Sequence, residues 1–179
     1  MDYLLSTERL GLRNWLDSDI KPLTEMNKDP EVMKYFPRTL TETETLKMLQ
    51  RITAHFEKNG FGLFAVEDKN TKEFIGFTGF AIPTFEETFT PCVEIGWRYK
   101  KKAWGHGFAT EAANACLQYG FEVLKLTKIV SFTSTHNVPS INVMKRTGMT
   151  YVADFDHPQI EEGSILKRHV LYEMSSIFS

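Results

Sequence analysis

A mixed α/β domain is what this sequence predicts, on three observations. Stretches of period-two hydrophobicity alternate with stretches whose apolar residues recur every three and four positions, the patterns of half-buried strands and of amphipathic helices. No linker, repeat or low-complexity run divides the 179 residues, a length that fits one domain, 1–179, with a substantial core. A composition of 42% hydrophobic and 25% charged residues is ordinary for a globular protein.

The elements follow in order. Leu10 and Leu12 alternate with Arg9, Gly11 and Arg13, so Glu8 to Trp15 reads as a first strand. Asp17-Ser18-Asp19 offers N-caps for a short helix that turns Ile20, Leu23 and Met26 inward, has Pro22 in its first turn and ends at Asp29-Pro30. Thr41-Glu42-Thr43-Glu44 is a capping box. The helix behind it buries Leu46, Leu49, Ile52, Thr53 and Phe56 and stops at Asn59-Gly60. Gly62 to Asp68 and Phe74 to Ile82 are strands of an antiparallel hairpin. The loop from Pro83 to Pro91 leads to a strand in which Val93, Ile95, Trp97 and Tyr99 alternate with Glu94, Gly96, Arg98 and Lys100.

A helix with an apolar face of Ala112, Ala113, Cys116, Leu117, Gly120 and Phe121 begins near Ala109. Ile129 to Thr133 is a short strand. Asn137 caps a second helix in which Val138, Ile141 and Met144 share a side, and Gly148 stands at its C′ position. Met149 to Phe155 and His169 to Met174 close the chain as strands, with an acidic loop between them.

The strand–loop–helix unit from Cys92 to Val123 organises the rest. Gly105 and Gly107 leave backbone N–H groups accessible at a helix start, where unpaired donors and the helix dipole favour an anion. Lys100, Lys101, Lys102 and His106 add positive potential, and Lys145 and Arg146 follow on the next helix. An ordinary tight turn is the alternative for Gly-x-Gly alone. Thr110 stands where a Rossmann fingerprint needs its third small residue, and the Gly-Lys-Ser/Thr ending of a P-loop is absent.

Lys102-Ala-Trp-Gly105-His-Gly107-Phe-Ala109 resembles the Arg/Gln-x-x-Gly-x-Gly/Ala loop of the GNAT superfamily of N-acetyltransferases, with Lys102 in place of the usual Arg or Gln. The run Trp-Gly-x-Gly-Phe-Ala-Thr-Glu-Ala, the opening Thr-Glu-Arg-Leu-x-Leu-Arg and Asp-Pro-Glu-Val-Met are similar to the RimJ/RimL branch of ribosomal-protein N-terminal acetyltransferases. The resemblance implies a GNAT acyl-CoA N-acyltransferase fold, a mixed and mostly antiparallel sheet flanked by about four helices. It implies acetyl-CoA as co-substrate, its pyrophosphate on the loop and helix start formed by Lys102, Trp104, Gly105, His106, Gly107, Phe108, Ala109 and Thr110. Backbone groups of Trp97 and Tyr99 would meet the pantetheine amides like an added strand.

Asn137-Val-Pro-Ser140 looks like the family's Asn-x-x-Ala/Ser helix opening beside the pantetheine arm. Many members carry a tyrosine acid where this chain has Met144, so Ser140 becomes the alternative donor to the thiolate. Asn137 would hold a cofactor amide while capping its helix, and Lys145 would add charge.

Acetyl transfer from a thioester to an amine requires removing the amine's proton and accommodating the thiolate. Glu94, on the central strand, is the candidate base; a glutamate paired with an arginine of a neighbouring strand is the structural alternative. His157 carries no assigned role, and Trp104 could cover the cofactor or an interface. The acceptor expected is an amine, on a small molecule or a protein N-terminus, drawn by acidic residues in two loops (Glu86, Glu87, Asp154, Asp156, Glu161, Glu162). A non-catalytic acyl-CoA-binding sensor is the rival from another class.

A net charge of −2 argues against a nucleic-acid-binding face. Two cysteines, Cys92 and Cys116, and five scattered histidines suggest buried thiols and no metal site. No membrane segment or leader is evident, so a cytoplasmic location is expected; monomer and homodimer both stay open.

Overall fold

A computed structural model describes residues 2–176 of the chain. An eight-stranded sheet runs β1 (Leu5–Ser6), β2 (Leu10–Arg13), β3 (Leu63–Asp68), β4 (Glu73–Ala81), β5 (Glu94–Tyr99), β6 (Lys128–Ser134), β8 (Arg168–Ser175), β7 (Thr150–Asp156) from edge to edge. Every neighbouring pair is antiparallel except β5 and β6. Helices α1 (Ile20–Lys28) and α2 (Glu42–Asn59) pack on one face, and α3 (Phe108–Glu122) and α4 (Val138–Arg146) on the other.

The larger core lies under α3 and α4, where Ala112, Ala113, Cys116 and Leu117 meet Leu12, Phe64, Phe80, Ile95 and Ile129. Small residues let α3 approach the sheet closely. A Cβ on Gly120 would lie 2.8 Å from Ile129 Cδ1 and 3.0 Å from Phe80 Cζ, so a side chain in this helix interior would have to displace both. The smaller core joins Leu23 and Met26 of α1 to Ala65, Phe74 and Phe77. Thr41 and Glu44 form the expected capping box of α2, and Gly60 ends it in the left-handed region at φ 75°.

Several local expectations shift. Strand β1 was not foreseen, because two residues carry no periodicity. Asp19 does not cap α1; its carboxylate takes the Leu16 N–H and the Arg13 guanidinium. Arg13 is therefore buried rather than on a polar face. Helix α2 is rotated from the predicted stripe: Thr45 and Ile52 are buried while Leu46 and Thr53 are exposed. On α4 the buried residues are Val143 and Met144, and Val138 is exposed. Cys92 is half-buried ahead of β5 rather than inside an element; Cys116 is buried as expected.

The join between β5 and β6 matters most. Their ladder is a single bridge, Glu94 with Val130, backed by Val130 N–H donating to Val93 O at 2.9 Å. One residue further, the Ser131 hydroxyl donates to Ile95 O at 2.9 Å in place of a backbone group. Beyond it the strands part. Strand backbones alternate direction, so Trp97 turns its N–H and C=O to this gap as Ile95 does.

Candidate active site

Because β5 and β6 are parallel, both chains leave the gap at the same end, and each leads into a helix start. Gly105 and Gly107 both sit at φ 78°, a conformation costly for residues with a Cβ. Gly107 is the N-cap of α3, and its C=O accepts from Glu111 N–H at 3.0 Å. Among the described residues, the N–H groups of Phe108, Ala109 and Thr110 have no backbone partner. Nothing lies within 4 Å of where a Gly105 Cβ would stand. An accessible row of donors at the positive end of a helix fits a pyrophosphate.

The cations of this corner differ from those expected. Lys101 pairs with Glu31 at 3.4 Å and Lys102 pairs with Glu73, which directs Lys102 along β4. Lys100 lies over the Phe74 ring at 5.3 Å. Their place beside the loop is taken by Arg9, from the β1–β2 turn. Its Nη2 is 3.7 Å from the Cβ position of Gly107, and its guanidinium stacks 4.7 Å above the Phe108 ring.

Glu111 fixes Arg9 there, accepting from its Nε at 2.7 Å, from its N–H at 3.1 Å and from the Thr7 hydroxyl at 2.5 Å. His106 stacks on Phe108, with centroids 5.4 Å apart. A groove of about 610 Å³ continues over Thr7, Gly107, Thr110, Asn114 and Arg146. Arg9, Thr7 and Glu111 escaped the sequence reading, since no local spacing links a turn near position 8 to a helix a hundred residues on.

At the mouth of the gap, Trp104 donates its indole N–H to Tyr99 O at 3.0 Å, while the residue is 45% exposed. That leaves Trp97 as the strand residue with backbone groups directed into the gap. The Tyr99 side chain is core, its hydroxyl 2.7 Å from Thr78 Oγ1. Asn137 caps α4 by accepting from Ser140 N–H at 3.3 Å, and its Nδ2 donates to Thr133 Oγ1 at 2.9 Å. The Ser140 hydroxyl itself makes no hydrogen bond within the described protein. Lys145 is exposed on the last turn of α4.

Glu94 stands where the strands begin to part, on the α1–α2 face. It has neither ion pair nor hydrogen bond among the described residues, so the arginine-paired alternative is overturned. Arg98, two pleats along the same face, binds Asn27 Oδ1 at 2.7 Å and lies 4.1 Å from the Phe36 centroid. Desolvation without a compensating partner raises the Glu94 carboxyl to about 8. His157 is packed among phenylalanine rings, and burial lowers it to about 4, which leaves it neutral at physiological pH.

Of the acids expected in the closing loop, Asp154 and Asp156 lie on strand β7 instead, because that strand runs on to Asp156, and several of them are paired. Asp156 pairs with Arg168 at 3.2 Å, Asp154 with the same guanidinium at 3.5 Å, and Glu162 with Lys167 at 3.1 Å. Among the described residues no cluster of His, Cys, Asp or Glu could hold a metal ion, and no helix is long and apolar enough to cross a membrane.

Comparison with known proteins gives this geometry a family. Residues 9–150 match the model of the acetyltransferase (GNAT) domain. The chain is 34% identical over 148 residues to YkkB of Bacillus subtilis (strain 168), covering 82% of this chain and 85% of that protein. It is 34% identical over 154 residues to the FsC-acetyl coenzyme A-N(2)-transacetylase of Aspergillus fumigatus, covering 79% of this chain and 65% of the other. The crystal structure of a GNAT-family acetyltransferase from Bacillus anthracis superposes with a TM-score of 0.79 at 28% identity, covering 96% of this chain and 97% of that one. The eight-stranded, mostly antiparallel sheet with four helices is the GNAT fold, and this chain belongs to the GNAT family of N-acetyltransferases.

Proposed function

We propose that the chain transfers acetyl from acetyl-CoA directly to a primary amine, within a ternary complex, in the manner of the RimJ/RimL-like branch. The observation that carries this reading is Glu94: a half-buried carboxylate with no partner, at the opening between β5 and β6, where desolvation raises it. A base near 8 is well matched to amines, whose ordinary values run from about 8 for an α-amino group to about 10 for a lysine-like one. Glu94 takes the proton that the acceptor nitrogen must lose.

Acetyl-CoA, when bound, supplies the activated acyl group as a thioester. The residues that would hold it are the N–H row from Phe108 to Thr110, Arg9 beside Gly107, and the Trp97 backbone. Ser140 Oγ–H, unengaged in the first turn of α4, would donate toward the leaving sulfur. Asn137 sets that turn by its cap.

Release of free thiol from acetyl-CoA, measured across a panel of amines, tests the proposal. Amine-dependent turnover, with the acetylated amine identified by mass, is the expected result. Binding of coenzyme A with no amine turned over would instead support a non-catalytic sensor.

A further inference from the structure

The acceptor's nitrogen must reach Glu94, so whatever follows that nitrogen lies against the same face of the sheet. Register shows what that face holds. Glu94 is bridged to Val130, and partners in a ladder share a face. Two residues on, Phe132 shares it; Ser134 opposite His169, and His169 opposite Phe155, extend it across β8 to β7.

The loop between β4 and β5 crosses this surface and adds Phe85 and Phe89. Phe132 lies 5.6 Å from Phe85, 6.0 Å from Phe89 and 5.7 Å from Phe155, centroid to centroid. His157 lies 4.6 Å from Phe85 and 4.9 Å from His169. All of these rings except His169 are only part-buried, so the group is an aromatic surface beside the base and not a sealed core.

Charge on this face points the same way. Glu173, opposite Val130 on β8, is paired with Lys128 at 3.4 Å. Arg98 puts a cation without a carboxylate partner, among the described residues, on the other side of Glu94. Burial lowers His157 and His169, so both are uncharged at neutral pH. Asp154, Asp156 and their partner Arg168 flank Phe155 and His169 in sequence and so lie on the opposite face, and Glu162 in the following loop is committed to Lys167. Glu86 and Glu87 remain as the acids of the crossing loop. A second or third ammonium on the acceptor would meet Arg98 and neutral rings, with few acids to receive it.

Resting on the proposed acetyl transfer at Glu94, we infer that the acceptor is a monoamine whose body is an aromatic ring or an apolar group of that size, seated on Phe85, Phe89, Phe132 and Phe155. The ring supplies the bulk of the contact and Glu94 reads the single nitrogen. Specificity is then set mainly by apolar area, which discriminates by size and not by hydrogen-bond pattern.

The test compares phenethylamine, n-butylamine, spermidine and two short peptides, one beginning with Phe and one with Ala, as acceptors for the full chain. The expected result is a kcat/KM for phenethylamine at least tenfold above n-butylamine and spermidine. If the Phe-first peptide matches phenethylamine, the same surface reads an N-terminal ring; if it lags, the acceptor is a small free amine.

Phe85→Ala, on the crossing loop, should bring the phenethylamine-to-butylamine ratio down at least fivefold, with an unchanged Tm shift on adding coenzyme A as the check on folding. Spermidine or butylamine turned over as well as phenethylamine would overturn the inference and leave acetyl transfer standing. An undiminished ratio in a folded Phe85→Ala would do the same. No turnover of any amine would remove both.

Discussion

Two carboxylates of the same sheet, Glu67 buried and Glu94 half-buried, are treated in opposite ways. Glu67, on β3, accepts from Arg13 Nε at 3.1 Å and from the Tyr3 hydroxyl at 2.7 Å. Arg13 in turn binds both oxygens of Asp19, at 2.6 and 2.9 Å. Glu94, on β5, receives nothing, although Arg98 lies on its own face. The first arrangement ties β2, β3 and the approach to α1 together. The second leaves a carboxylate in unfavourable surroundings, a cost that a purely structural residue has no reason to carry. A cation is supplied where a carboxylate builds the fold and is absent where, on the mechanism proposed above, one accepts a proton.

The largest way to break this contrast is Glu94→Gln. It should lower kcat/KM near neutral pH by about 10²–10⁴-fold, the usual range for loss of a general base, as measured by thiol release with saturating acetyl-CoA. Stability should move the other way. The folded carboxyl, at about 8, keeps a proton that the unfolded chain releases near its ordinary 4.5. Folding is therefore increasingly penalised as pH rises from about 4.5 to 8. The Tm of Glu94→Gln should gain on the parent from pH 5 to pH 8; a constant difference would mean that Glu94 is better solvated than its surroundings imply.

Arg13→Ala should do the reverse: leave two buried carboxylates without their cation and cost about 3–5 kcal/mol in denaturant unfolding. A loss within the range of a surface pair, about 1 kcal/mol or less, would contradict the assigned role.

Gly107→Asp places a side chain in a left-handed position and a negative charge beside the N–H row. Coenzyme A affinity by calorimetry should fall at least tenfold. The parent should gain about 2.7 kcal/mol of stability at a hundred times the dissociation constant, and the variant little at the same concentration. Smallest is Ser140→Ala, expected to reduce kcat severalfold with the acceptor KM unchanged. An unaltered kcat would pass the thiolate's proton to water or another group.

Much of the fold was legible because it is local. Alternation around Ile95 and Trp97 placed β5, the Thr41–Glu44 box placed α2, and Gly105 and Gly107 marked the turn into α3. Glu94 was legible as a polar residue between apolar ones on that strand. Its lack of a partner was not, since that depends on Arg98 turning to Asn27 and Phe36. The surroundings of the loop before α3 were illegible for the same reason. The lysines next in sequence to the loop are claimed by Glu31 and Glu73, and Arg9 arrives through Glu111, a pairing across 102 positions. Periodicity also missed the rotation of α2, which turns Thr45 to accept from the buried Asn27 Nδ2 at 3.2 Å. The resemblance to the GNAT loop supplied what periodicity lacked, a mixed and mostly antiparallel sheet flanked by helices, while the order of the strands came only with the structure.

If an unpartnered Glu94 takes the acceptor's proton, the pH dependence of kcat/KM will carry its titration. For the parent, with an acceptor whose own titration lies well above 8, log kcat/KM should rise with pH and bend near 8 as Glu94 becomes ionised. Glu94→Gln should lose that bend and keep only the rise due to the amine, so that the two profiles converge at high pH. Parallel profiles, offset by a constant factor and bending at the same pH, would contradict the account.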